Sequence, residues 1–136
     1  MTRSHQERGA AAVEFALLLP LLMMLLLGIM EFGYAFLVQA SVAGAARVGA
    51  RDYAIHYAEA DAEANAIAGA EDAATSAFKD LMIVSATFLE KCDPADPDSK
   101  STFELKYQYT SLTGLFDGLL GSDVSITGKG SMQCGG

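Results

Sequence analysis

The residues able to do chemistry in this chain are few, and they stand apart. Glu14 lies at the mouth of a long apolar run, five positions after Gly9. Cys92 and Cys134 are the only cysteines, and His5 and His56 the only histidines. Asp93, Asp96 and Asp98 crowd one short loop. No Ser-His-Asp set, glycine-rich phosphate loop or motif pairing a nucleophile with a base is visible, so the sequence predicts no catalytic role and no small-molecule substrate. Two cysteines without a histidine nearby make a poor zinc site. They read either as a Cys92–Cys134 disulfide formed outside the cytoplasm or as two buried thiols. The three aspartates could in principle bind calcium. Their spacing is not that of an EF-hand, however, and acidic loops containing proline are common, so no metal and no cofactor is expected. His56 reads as a solvated or hydrogen-bonded side chain.

The elements that must position these residues follow from pattern. A chain of 136 residues is at most one small domain plus whatever a membrane segment takes. The formal net charge of −8, with no basic stripe, excludes a nucleic-acid binder. Arg3, Arg8, Glu7 and the amino terminus precede Ala10, whereas acids outnumber bases after Met30. Basic flanks stay in the cytoplasm, so the acidic remainder is expected outside, in the periplasm.

Phe15–Met30 carries no charge. It covers about 24 Å as a helix, short of the ~30 Å hydrocarbon core. Continuing through Phe32–Val38 gives ample length but takes in Glu31, which must then lie near the outer interface or pack against protein. Pro20 removes one helical hydrogen bond, which membrane helices tolerate. A cleaved secretory signal would suit the basic start, with Val48-Gly49-Ala50 as a loose cleavage site, but the run is too long and the site too far downstream. A plain anchor explains the run. It leaves Glu14 with no role beyond a small gain from the helix dipole.

A third reading rests on spacing. Gly9 followed by Ala10-Ala11-Ala12-Val13-Glu14-Phe15 resembles the cleavage site of type IV prepilins: a glycine, then a glutamate at the fifth mature position. The stretches "RGAAAVEFALLLPLL", "GIMEFGYAF" and "AARVGAR" are similar to the opening of TadE-like proteins, the minor pilins or pseudopilins of tight adherence (Tad/Flp) pili. The resemblance is specific over about residues 8–51 and architectural beyond. It implies processing by a prepilin peptidase between Gly9 and Ala10. It further implies assembly contacts through Ala10, Glu14 and Phe15, the Glu14 carboxylate meeting the freed Ala10 ammonium of an adjacent subunit. The partners it implies are the inner membrane, other pilins or pseudopilins and the Tad assembly machinery.

Beyond the span, Gly33 to about Phe78 is rich in alanine and free of proline, which predicts continued helix. Ala40–Gly44 and Ser41–Ala45 place small residues four apart, a surface on which other helices could pack closely. Tyr53, Tyr57, Ala60, Ala64, Ile67, Ala74 and Phe78 form a thin apolar stripe. Three strands follow: Ile83–Leu89, the alternating "TFELKYQY", and Val124–Thr127 continuing toward Cys134. Leu112, Leu115, Phe116, Leu119 and Leu120 recur at helical spacing. The expected class is α+β, with a long N-terminal transmembrane helix extending into the periplasm and a small antiparallel β-sheet head. Its parts are a cytoplasmic leader (1–9), the span (10–38), a helical extension (39–80) and a β-rich head (81–136). The expected function is that of a single-pass minor pilin taking part in assembly of an adherence pilus. The alternative is an uncleaved periplasmic scaffold or binding protein with no filament role.

Overall fold

The computed structural model of the chain describes residues 3–77, 82–114 and 124–135. Helix α1 runs Arg3–His56 and helix α2 Ala62–Ala77. Strands β1 (Ile83–Glu90), β2 (Lys100–Gln108) and β3 (Ser125–Gln133) form one antiparallel sheet in the order β1-β2-β3. The chain divides into two units, Met1–Tyr34 and Ala35–Gly136.

The first unit is α-helical and passes through Pro20 without a break. Its leucines and methionines point outward, with Leu17 75% and Met24 72% exposed. The helix is long and apolar enough to cross a membrane. Glu31 is the exception. It is 3% exposed, the one charged side chain buried among the described residues.

In the second unit the expected alternation of β2 is observed. Phe103, Leu105 and Tyr107 are buried, while Lys106 is exposed. Across the sheet, Phe103 faces Gly130 of β3 and Leu105 faces Gly128. These glycines leave room for α1 to lie against the strand itself. A Cβ on Gly128 would fall 2.6 Å from the carbonyl carbon and oxygen of Val42. A Cβ on Gly130 would fall 2.5 Å from the same atoms of Ala46 and from Arg47 N. Helix main chain meets strand main chain, and neither can yield as a flexible side chain could. Gly49 does the reverse from the helix side: its face lies against Ala70 of α2 and the ring of Phe103. The bulk of the core comes from the sheet. Phe88 packs between Tyr53 and Phe103, with ring centroids 4.5 and 4.7 Å away.

The helical extension is two helices, not one. The chain turns after His56, with Glu59 N donating to His56 O at 2.8 Å. Asn65 N then donates to Asp61 O at 2.9 Å as α2 begins. Glu63 sits in the first turn of α2, where a carboxylate complements the helix dipole. This turn resets the helical phase, so the stripe expected through Ala60 and Ala64 does not form: both are exposed. Ala62, Ala66, Ala70 and Ala74, four apart, are buried instead. Tyr53 and Ala74 of the expected stripe are buried and Tyr57 and Ile67 half-buried, while Phe78 lies outside the described residues. The strands occupy their expected places, and β3 does continue to Gln133. Of the expected apolar helix after β2, Leu112 is 61% exposed; Leu115, Phe116, Leu119 and Leu120 lie outside the described residues.

The glycine contacts give a paired prediction. Gly130→Ala should destabilise the head by about 3 kcal/mol, because the added methyl overlaps helix backbone. Gly44→Ala, on a face where a Cβ meets nothing within 4 Å, should gain roughly 0.5–1 kcal/mol in helix propensity. Urea unfolding of the two variants in detergent, followed by circular dichroism, measures both.

Candidate functional site

Gly9, Ala10, Glu14 and Phe15 all lie in α1, and all four are exposed. Gly9 has open space where a side chain would be. Ala10 and Glu14 are four apart and so share one face of the helix, one turn from each other. No ion pair involving Glu14 exists among the described residues, leaving its carboxylate accessible to a partner. Phe15 is 60% exposed beside it.

The four small residues further along α1 separate. Ala45 is buried in the head's own core, and Ser41 is half-buried. Ala40 is exposed, and Gly44 is half-buried with no atom where its Cβ would stand. Val48 and Ile55, at helical spacing from them, are also exposed. One half of the expected packing surface therefore belongs to intramolecular packing, and the Ala40–Gly44 half remains outward.

Cys92 and Cys134 form a disulfide, with Cα atoms 5.7 Å apart. Cys92 follows β1 and Cys134 follows β3, so the bridge ties both edge strands at one end of the sheet. Cys134 N also donates to Ser99 O at 3.0 Å. Two aspartates of the intervening loop bond its own backbone. Asp93 accepts from Ala95 N at 2.9 Å and Asp96 from Asp98 N at 3.0 Å. Such turns are a common use of aspartate in loops. Among the described residues no three potential ligand side chains gather closely enough to hold a metal. His56 is exposed, with Nδ1 3.0 Å from Asp52 O and 3.3 Å from the Asp52 carboxylate.

The charged side chains of the head pair locally. Glu104 meets Lys129 at 2.9 Å and Lys106 at 3.5 Å on the sheet face away from the helices. The hydrogen bond from Lys129 holds the Glu104 carboxyl below its usual range. Lys91 donates to Glu63 at 2.6 Å, fastening α2 to the end of β1, and that bond raises the Lys91 ammonium above its ordinary value.

Residues 9–51 match the family model described as TadE-like protein. Over that stretch the chain is similar to TadE-like proteins. Comparison with curated proteins and with solved structures gives no match. The TadE-like segment holds Gly9, Ala10, Glu14 and Phe15, the four small residues, and the helix side of the contact with β3. The glycines of β3 and both cysteines fall outside it. The match and the exposed apolar helix together fit a membrane-anchored component of Tad pili. Sequence reading passed over Gly128 and Gly130. Their signal was "TGKGS", two glycines on one face of a strand, which marks close approach of another backbone.

Two measurements bear on these links. Replacing both cysteines by serine should cost about 4 kcal/mol, since the bridge spans 42 residues of sequence. Calorimetry of the double variant reads this directly. The Glu104 pair should lose its stabilising effect as pH falls below 4.5, the ordinary value from which its carboxyl is lowered. Above that pH the carboxylate is charged in both folded and unfolded chains, and the stabilisation is complete. Glu104→Gln should be less stable near neutrality and show a shallower fall in Tm across the acid limb.

Proposed function

We propose that this chain is a minor pilin or pseudopilin of a Tad pilus, cut between Gly9 and Ala10 by a prepilin peptidase and used in assembly of the filament. Its role is structural rather than catalytic. The observation that carries this reading is the coincidence of a TadE-like match starting at Gly9 with a bare apolar helix bearing an accessible Glu14. Cleavage frees the Ala10 ammonium at the start of α1. Glu14 of an adjacent subunit offers that ammonium a counter-charge. A carboxylate in hydrocarbon is costly without such a partner, so the pair favours one axial register over random clustering. The outward Ala40–Gly44 face lets neighbouring helices approach closely. The Arg3 and Arg8 flank stays in the cytoplasm, the head lies in the periplasm, and the span sits in the inner membrane.

The mass of the protein extracted from membranes tests processing. With a cognate prepilin peptidase present, the mature chain should begin at Ala10, and Gly9→Val should leave the precursor whole. A native chain that remains uncut, or one beginning near Arg51, would rule the proposal out. Glu14→Gln separates insertion from assembly. The variant should enter the membrane normally, because the apolar run is unchanged, yet show at least a tenfold loss of cross-links to other pilins from a cysteine placed at Ala40. Wild-type cross-linking would reduce Glu14 to a helix-start residue.

A further inference from the structure

β3 is an edge strand, and its pairing with β2 fixes which of its backbone groups are free. The register runs without a shift from Lys100↔Gln133 to Gln108↔Ser125. Tyr109 N donates to Val124 O at 2.8 Å, and Cys134 N to Ser99 O at 3.0 Å. These two bonds set the phase. In an antiparallel ladder, alternate residues exchange bonds with the partner strand. The even-numbered residues of β3 therefore face β2. Ser125, Thr127, Lys129, Ser131 and Gln133 turn their N–H and C=O groups outward, where no strand pairs with them among the described residues.

The two edges of the sheet differ. β1 breaks register between Ile83 and Ser85 and again between Phe88 and Glu90. Such bulges blunt an edge against further pairing. β3 has no register shift and no proline, and Lys129 is its only ionisable side chain. It is a straight template nine residues long.

Helix α1 supplies a wall beside that template. Val42–Ala43 and Ala46–Arg47 lie over Gly128 and Gly130, while Gly49 turns toward Phe103 of β2 and Ala70 of α2. Ala43 and Arg47 are thus on the flank of α1 that looks past the outer side of β3. Arg47 is exposed, as is Arg51 one turn further on, and neither has an ion-pair partner among the described residues. In a chain of net charge −8, this edge is locally basic.

We propose that the free edge of β3 is a docking site for an extended, acidic segment of a partner polypeptide, which adds as a fourth strand beside Arg47 and Arg51. Main-chain bonds to the odd-numbered residues hold the segment, and the arginines select acidic side chains on it. A second copy of β3 is a poor occupant. Antiparallel pairing of two such edges sets Lys129 against Lys129 and, because β3 carries no carboxylate, gives the arginines no acidic partner. The inference does not depend on cleavage at Gly9.

The test uses the full chain in detergent and a labelled nine-residue peptide alternating glutamate with valine and threonine. A peptide with lysine in place of glutamate is the control. By fluorescence anisotropy the glutamate peptide should bind at least tenfold more tightly, and Arg47→Glu should abolish the preference. Thr127→Pro removes one outward N–H and no bond to β2, so it should weaken binding at least tenfold while the disulfide still forms. Hydrogen exchange gives an independent readout. The amides of Thr127, Lys129 and Ser131 should exchange fast in the free chain and slow on adding the glutamate peptide. The inference is overturned if those amides are already protected in the free chain, if the glutamate peptide does not bind, or if both peptides bind equally. Dimerisation through β3 would overturn it as well.

Discussion

The head is organised by a contact between main chains. α1 lies so close to β3 that no side chain fits between Ala46 and Gly130 or between Val42 and Gly128. That approach decides where bulk can go. β3 offers no side chain at Gly128 and Gly130, so Phe103, Leu105 and Tyr107 of β2, with Phe88 of β1, fill the space under the two helices. The helices in turn present small residues: Ala46, Gly49 and Ala50 from α1, and the four alanines of α2. Large side chains on the sheet interlock with these small ones, and Val38, Val42 and Tyr53 of α1 add bulk from the helix side.

The same geometry makes for a thin core. Alanine buries little apolar area, and the hydrophobic contribution scales with that area. A small head of this kind needs covalent help. The Cys92–Cys134 bridge supplies it at the end where both edge strands leave β2. The ion pairs are exposed and contribute less; Lys91–Glu63 orients α2 rather than holding the head together.

Much of this was readable from residues. The apolar span, the three strands and the burial alternation in "TFELKYQY" follow from composition and period. The TadE-like opening is carried by Gly9, Glu14 and the Glu31-Phe32-Gly33 repeat of Glu-Phe, and the family match covers the same ground. The break after His56 was not readable, because residues 57–61 contain neither glycine nor proline and alanine continues on both sides. Propensity alone favours one helix there, and tertiary packing of Tyr53 and Ala62 on a common cluster overrides it. The role of Gly128 and Gly130 was hidden for a different reason. A glycine in a strand reads as weakness until the element lying over it is known.

The disulfide also matters mechanically. It closes a loop spanning 42 residues of sequence that contains β2 and β3. Should traction along the polypeptide peel the head open, β1 and the helices can unravel, but the closed loop cannot lengthen. About 140 Å of contour is thereby withheld from extension. Even a fully sheared head would then end at a short, covalently fixed stop rather than a slack thread.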